Sequence, residues 1–146
     1  MYHFTLNVTF HASTTHIFDA FHKPEILIQW FAPGNVKVSQ IMSNFTEGGR
    51  YRIQMTEPTG QQYTLTGEYT RILANEKLVM SWAWEDNDEE SIITTVDIEF
   101  ESKDDNTTQL TLVHSGFVNE QERDQHQQGW MACFEKLAGI QQSLEQ

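Results

Sequence analysis

The chain has a single cysteine, Cys133, and three prolines among 146 residues. One cysteine excludes an internal disulfide and fits a reducing compartment. Basic residues are scarce too: 9 Lys and Arg stand against 21 Asp and Glu, a formal net charge of −12. That balance repels phosphate backbones and anionic lipid headgroups, so neither nucleic acid nor a membrane surface is expected as a partner. No apolar run approaches the ~18 residues of a membrane span. The start, Met1-Tyr2-His3-Phe4-Thr5, lacks a basic segment followed by an apolar one, so a cytoplasmic location is expected. Sequons at Asn7, Asn44 and Asn106 then read as chance matches. No repeat, Pro-rich linker or low-complexity block divides the chain, and one domain over residues 1–146 is expected. Phosphate-binding Gly-rich loops and Gly-x-Ser-x-Gly elbows are absent. His11, His16 and His22, with Asp19 among them, are five and six apart and miss the i,i+4 spacing of a helical metal pair. Neither a metal nor a cofactor is expected.

What the sequence does have is alternation. Tyr2, Phe4, Leu6, Val8 and Phe10 fall on one face of a strand. Ser13 can cap a short helix bearing Ile17, Phe18 and Phe21, and Pro24 suits the first turn of a second, ended by Pro33-Gly34. Strands are expected at about 36–45, 50–56, 62–73, 78–84, 92–101 and 108–115. Turns such as Glu47-Gly48-Gly49 and Asp86-Asn87-Asp88 separate them. These connections are too short for parallel crossovers, so the strands should pair antiparallel. The remaining element, about 120–144, is one long amphipathic helix. Asn119 and Glu122 suit its start, and Trp130, Cys133, Phe134, Leu137, Ile140 and Leu144 form its apolar stripe. The fold class is therefore α+β: a curved antiparallel sheet of six to seven strands gripping a long C-terminal helix, with two short helices after strand one.

Such a grip encloses space, and the residues in phase to face it are large. From the first half these are Trp30, Tyr51 and Tyr63. Trp82, Trp84, Val96 and Ile98 follow on the middle strands. His114, Phe117, Trp130 and Phe134 complete the candidate ligand-binding walls. A packed core accounts for such stripes equally well. Gly129 tips the reading toward a cavity, because glycine inside a helix costs ~1 kcal/mol relative to Ala and here admits a close approach. His114 is the titratable member of the set. Burial should lower its pKa, and a neutral ring suits orienting a carbonyl or hydroxyl of a ligand. On that reading His114→Ala alters ligand preference more than stability. Cys133, on the buried stripe, reads as a small hydrophobe.

The words Trp30-Phe31-Ala32-Pro33, Gly48-Gly49-Arg50-Tyr51-Arg52, Thr66-Gly67-Glu68-Tyr69, Leu78 to Trp84, Leu110 to Phe117 and Gly129-Trp130 occur in that order. In them the chain resembles the START-like, or Bet v 1-like, helix-grip (SRPBCC) superfamily. It is similar to the single-domain branch related to the C-terminal domain of the heat-shock protein 90 ATPase activator. The resemblance implies the grip fold and an internal hydrophobic cavity, and it implies no particular reaction. Members of the wider superfamily bind lipids, hormones or polyketides, and a few are cyclases. Three functions follow as expectations. First is binding of a small apolar or aromatic ligand. Second is a chaperone-linked interaction module, which the lack of a separate N-terminal domain leaves open without favouring. Third is a cyclase or hydrolase using His114. A homodimer is compatible with all three.

Overall fold

Seven strands form one antiparallel sheet in the order β1-β7-β6-β5-β4-β3-β2. The computed structural model describes residues 1–85 and 92–144, the last four by backbone alone. The strands are β1 (Tyr2–Phe10), β2 (Lys37–Ser43), β3 (Arg50–Thr56), β4 (Gln62–Leu73), β5 (Lys77–Trp84), β6 (Thr94–Asp104) and β7 (Thr107–Phe117). Two short helices, α1 (Thr14–Ala20) and α2 (Pro24–Trp30), follow β1, and α3 (Glu120–Leu144) ends the chain. The α+β grip expected from the alternation is the observed fold. The turn at Asp86-Asn87-Asp88 and the Leu144 side chain of the expected apolar stripe lie outside the described residues.

Local chemistry sets the helix ends. The Ser13 hydroxyl accepts from His16 N, and Pro24 stands in the first turn of α2, where its missing N–H costs nothing. Asn119 Oδ1 accepts from Glu122 N at 2.8 Å, satisfying one of the free donors that open α3. The Asp19 carboxylate pairs with His22 and Lys23, and the His22 ring stacks on Phe45 at 4.3 Å. His22 is thus a structural contact between α1 and the loop at Phe45.

Alternation decides which face is buried. Tyr51, Ile53 and Met55 of β3 are buried, as are Leu78, Met80 and Trp82 of β5, Val96, Ile98 and Phe100 of β6, and Leu110, Leu112 and His114 of β7. Irregular pairing in β1, β2, β4 and β6 adds twist and helps the sheet curl toward α3. The helix answers with Trp130, Cys133, Phe134 and Leu137, all buried. One close approach needs glycine. A Cβ on Gly67 would stand 2.0 Å from Ser81 O and 2.6 Å from the Tyr51 hydroxyl. With hydrogen there instead, the Tyr51 ring crosses β4 beside Tyr69 and its hydroxyl donates to Ser81 O.

Candidate functional site

The space under α3 is filled at one end and open at the other. At the filled end Phe10, Phe21, Trp30 and Phe134 pack edge to face or stacked, with ring centroids 4.9–6.4 Å apart. Phe18 and Phe100 extend that cluster. The Trp30 indole N–H is spent on Ala20 O at 3.0 Å. Trp30 and Phe134 are therefore core residues here, away from the cavity. So are Val96 and Ile98, each fully buried, and Tyr51, which is held across Gly67. The aromatic content of β1, α1 and α2 is what closes this end.

At the other end lies a cavity of about 440 Å³. Trp82 and Trp84 come from β5, Met55 from β3, and Gln61 and Tyr63 from the approach to β4 and its start. Phe31 and Pro33 follow α2. From α3 come Glu122, Gln125, His126, Gly129, Trp130 and Cys133. Gln61, Glu122 and Gln125 are exposed and form the rim, while Phe31, Trp82 and Trp130 are buried and form the floor. The rings meet at steep angles: Trp82 and Trp84 at 85° and 5.8 Å, Phe31 and Trp130 at 90° and 5.9 Å. A Cβ built on Gly129 meets nothing within 4 Å, so the glycine faces open space.

Of the sequence-derived wall residues, Tyr63, Trp82, Trp84 and Trp130 stand together here. His114 and Phe117 lie one layer behind. His114 is 0% exposed, and both of its ring nitrogens are used. Nδ1 accepts from Trp130 Nε1–H at 3.1 Å, which places the proton on Nε2. Nε2 then donates to Thr94 Oγ1 at 2.8 Å, and that hydroxyl donates to Trp82 O at 3.2 Å. Phe4 and Phe117 cover the ring. The imidazole thus locks two wall tryptophans in place and has no nitrogen left for a ligand or a reacting group.

His126 takes the cavity-facing position instead. Its Nδ1–H donates to Glu122 O at 2.7 Å, and its Nε2 accepts from Trp84 Nε1–H at 3.0 Å. This link ties α3 to the end of β5 across the site. Sequence reading passed over His126, although it lies four residues before Trp130 on the stripe that includes Phe134 and Leu137. Gln125 and Glu122 were legible only as polar helix residues, because nothing in the periodicity marks the rim of a cavity. The Trp82 indole N–H is the one buried side-chain polar atom without a hydrogen-bond partner among the described residues.

Burial sets the protonation states. It pushes the His114 pKa down to about 3, with His126 nearby adding to the effect. His126 is lowered as well, chiefly by burial. The Cys133 thiol is pushed up to about 12 and stays protonated, which removes it as a nucleophile at neutral pH. Unfolding frees the histidines to titrate near 6.5, so the unfolded chain gains protons that the folded one refuses. Stability contributed by His114 is therefore whole above about pH 6.5 and falls as the pH drops toward about 3, by up to ~1.4 kcal/mol per pH unit. Urea unfolding between pH 7 and pH 4 should show that slope. His114→Gln, which cannot titrate, should flatten it relative to wild type. Parallel profiles for the two proteins would assign the acid sensitivity elsewhere.

The family model described as "Activator of Hsp90 ATPase homolog 1-like protein" matches residues 11–142. The chain belongs to this family. Solved structures with the same fold include the AHSA1 protein from Silicibacter pomeroyi, 24% identical, with a TM-score of 0.86 over 99% of this chain and 100% of that one. A protein from Chromobacterium violaceum is 17% identical, with a TM-score of 0.85 over 96% and 97%. An Arthrobacter aurescens protein solved in solution is 19% identical, with a TM-score of 0.83 over 97% and 86%. At these identities the likeness shows a shared fold. No curated protein matches the chain. Among the described residues, no helix is long and apolar enough to cross a membrane.

Proposed function

We propose that this protein binds a small, mostly apolar molecule in the cavity between β5 and α3. The observation that carries this reading is open space bounded by aromatic faces: about 440 Å³ floored by Phe31, Trp82 and Trp130, with bare Gly129 on the helix side. That volume falls within the ~300–1,000 Å³ of ordinary ligand sites, which likewise combine apolar walls with a few polar groups at the rim. Membership of a helix-grip family is consistent with it. A hydrolase or cyclase centred on His114 is not the reading supported here, since both ring nitrogens serve the core.

Gly129 supplies the test. Gly129→Ala should stabilise the protein by up to ~1 kcal/mol, because the helix gains propensity and the added Cβ meets nothing. Gly129→Leu carries a larger side chain into the same open space and should keep the fold while blocking the site. A panel of small aromatic and acyl compounds is then screened by thermal shift and tryptophan fluorescence. A compound at one hundred times its dissociation constant stabilises by ~2.7 kcal/mol in wild type and should do nothing in Gly129→Leu. Equal binding by the two proteins, or no binding by wild type, contradicts the proposal.

A further inference from the structure

The polar groups around the cavity favour one sign of charge. Among the described residues, no lysine or arginine lines it, and the charged wall residue is Glu122, at the rim. The Tyr63 hydroxyl at the same rim donates to Glu57 at 2.9 Å, which brings a second carboxylate close by. Cations on the neighbouring elements are engaged elsewhere: Arg52 pairs with Glu85 at 3.0 Å, Arg123 with Asp124 at 3.0 Å, and the Lys136 ammonium donates to Ala32 O. Donors are equally short. Trp84 and Trp130 have spent their indole N–H groups on His126 and His114, and the Trp82 N–H is closed off from water. Among the described wall residues, the side-chain amides of Gln61 and Gln125 are the donors left for an anionic ligand. A cation would meet three indoles and Phe31, a carboxylate at the mouth, and a chain of formal charge −12 around it.

We propose, building on the ligand-binding reading above, that the occupant is a hydrophobic organic cation, with an ammonium group held among Trp82, Trp84, Trp130 and Phe31 and balanced by Glu122. The indoles supply the π systems that attract a desolvated cation, and Trp84 and Phe31 stand at steep angles to Trp82 and Trp130.

The experiment compares three probes of similar size by tryptophan fluorescence titration: phenyltrimethylammonium, its uncharged carbon isostere tert-butylbenzene, and the anion 4-phenylbutyrate. Phenyltrimethylammonium should bind about tenfold tighter than tert-butylbenzene, and the anion more weakly than either. In Glu122→Gln and in Trp84→Leu the cation-to-isostere ratio should fall toward one. Equal or tighter binding of tert-butylbenzene by wild type overturns the cation inference while leaving an apolar ligand site standing. If none of the three binds and Gly129→Leu changes nothing with the wider panel, the binding reading falls and takes the cation inference with it.

Discussion

A chain ending at Asn119 is expected to have no cooperative fold. α3 supplies Trp130, Phe134 and Leu137 to the core, each 4% exposed or less. Burying a large apolar side chain is worth ~1.5–3 kcal/mol, and a domain of this kind has only ~5–15 kcal/mol in total. Losing the helix also uncovers the apolar face of β5, β6 and β7 and leaves Phe10 and Trp30 without their partner Phe134. Circular dichroism during urea unfolding should show a broad, featureless change. A sharp transition in the truncated protein would mean that the sheet holds itself together.

His114→Ala is expected to destabilise the protein by roughly 3–5 kcal/mol. The change leaves a void in a packed core and strips a partner from two buried donors or acceptors at ~1–3 kcal/mol each. Those groups are Trp130 Nε1–H and Thr94 Oγ1. His114→Gln should recover part of the loss, because its amide can still accept from one side and donate to the other. This reverses the order suggested by strand phase alone, on which His114 faced the ligand. Chemical unfolding of both variants decides the matter: unchanged stability with altered ligand preference would return His114 to the binding surface.

Strand phase told which residues point inward, and it did so well. It could not tell how deep each one lies. His114 and Trp82 are both inward, yet Trp130 and Thr94 close over the imidazole while the indole reaches the cavity. Tyr51 is in phase too, but the missing Cβ of Gly67 lets its ring lie across the neighbouring strand. Trp30 and Phe134 are drawn to the filled end by Phe10 and Phe21, a contact between elements far apart in sequence. Gly129 was the informative exception. A glycine with no backbone reason to be in a helix suggested a close approach there, and the structure instead leaves open space beside it, on the cavity wall. Cys133 shows the converse, since the helix period placed it on the inner stripe and only tertiary packing assigned it to the cavity wall.

The four tryptophans allow the central claim to be tested in one spectrum. Trp82, Trp84 and Trp130 line the cavity, while Trp30 sits in the filled end with its N–H on Ala20 O. An indole ¹H–¹⁵N correlation spectrum recorded during titration with a compound that binds should show three of the four signals moving and the Trp30 signal holding still. Movement of the Trp30 signal with the other three unchanged would place the ligand elsewhere in the fold and contradict the site proposed here.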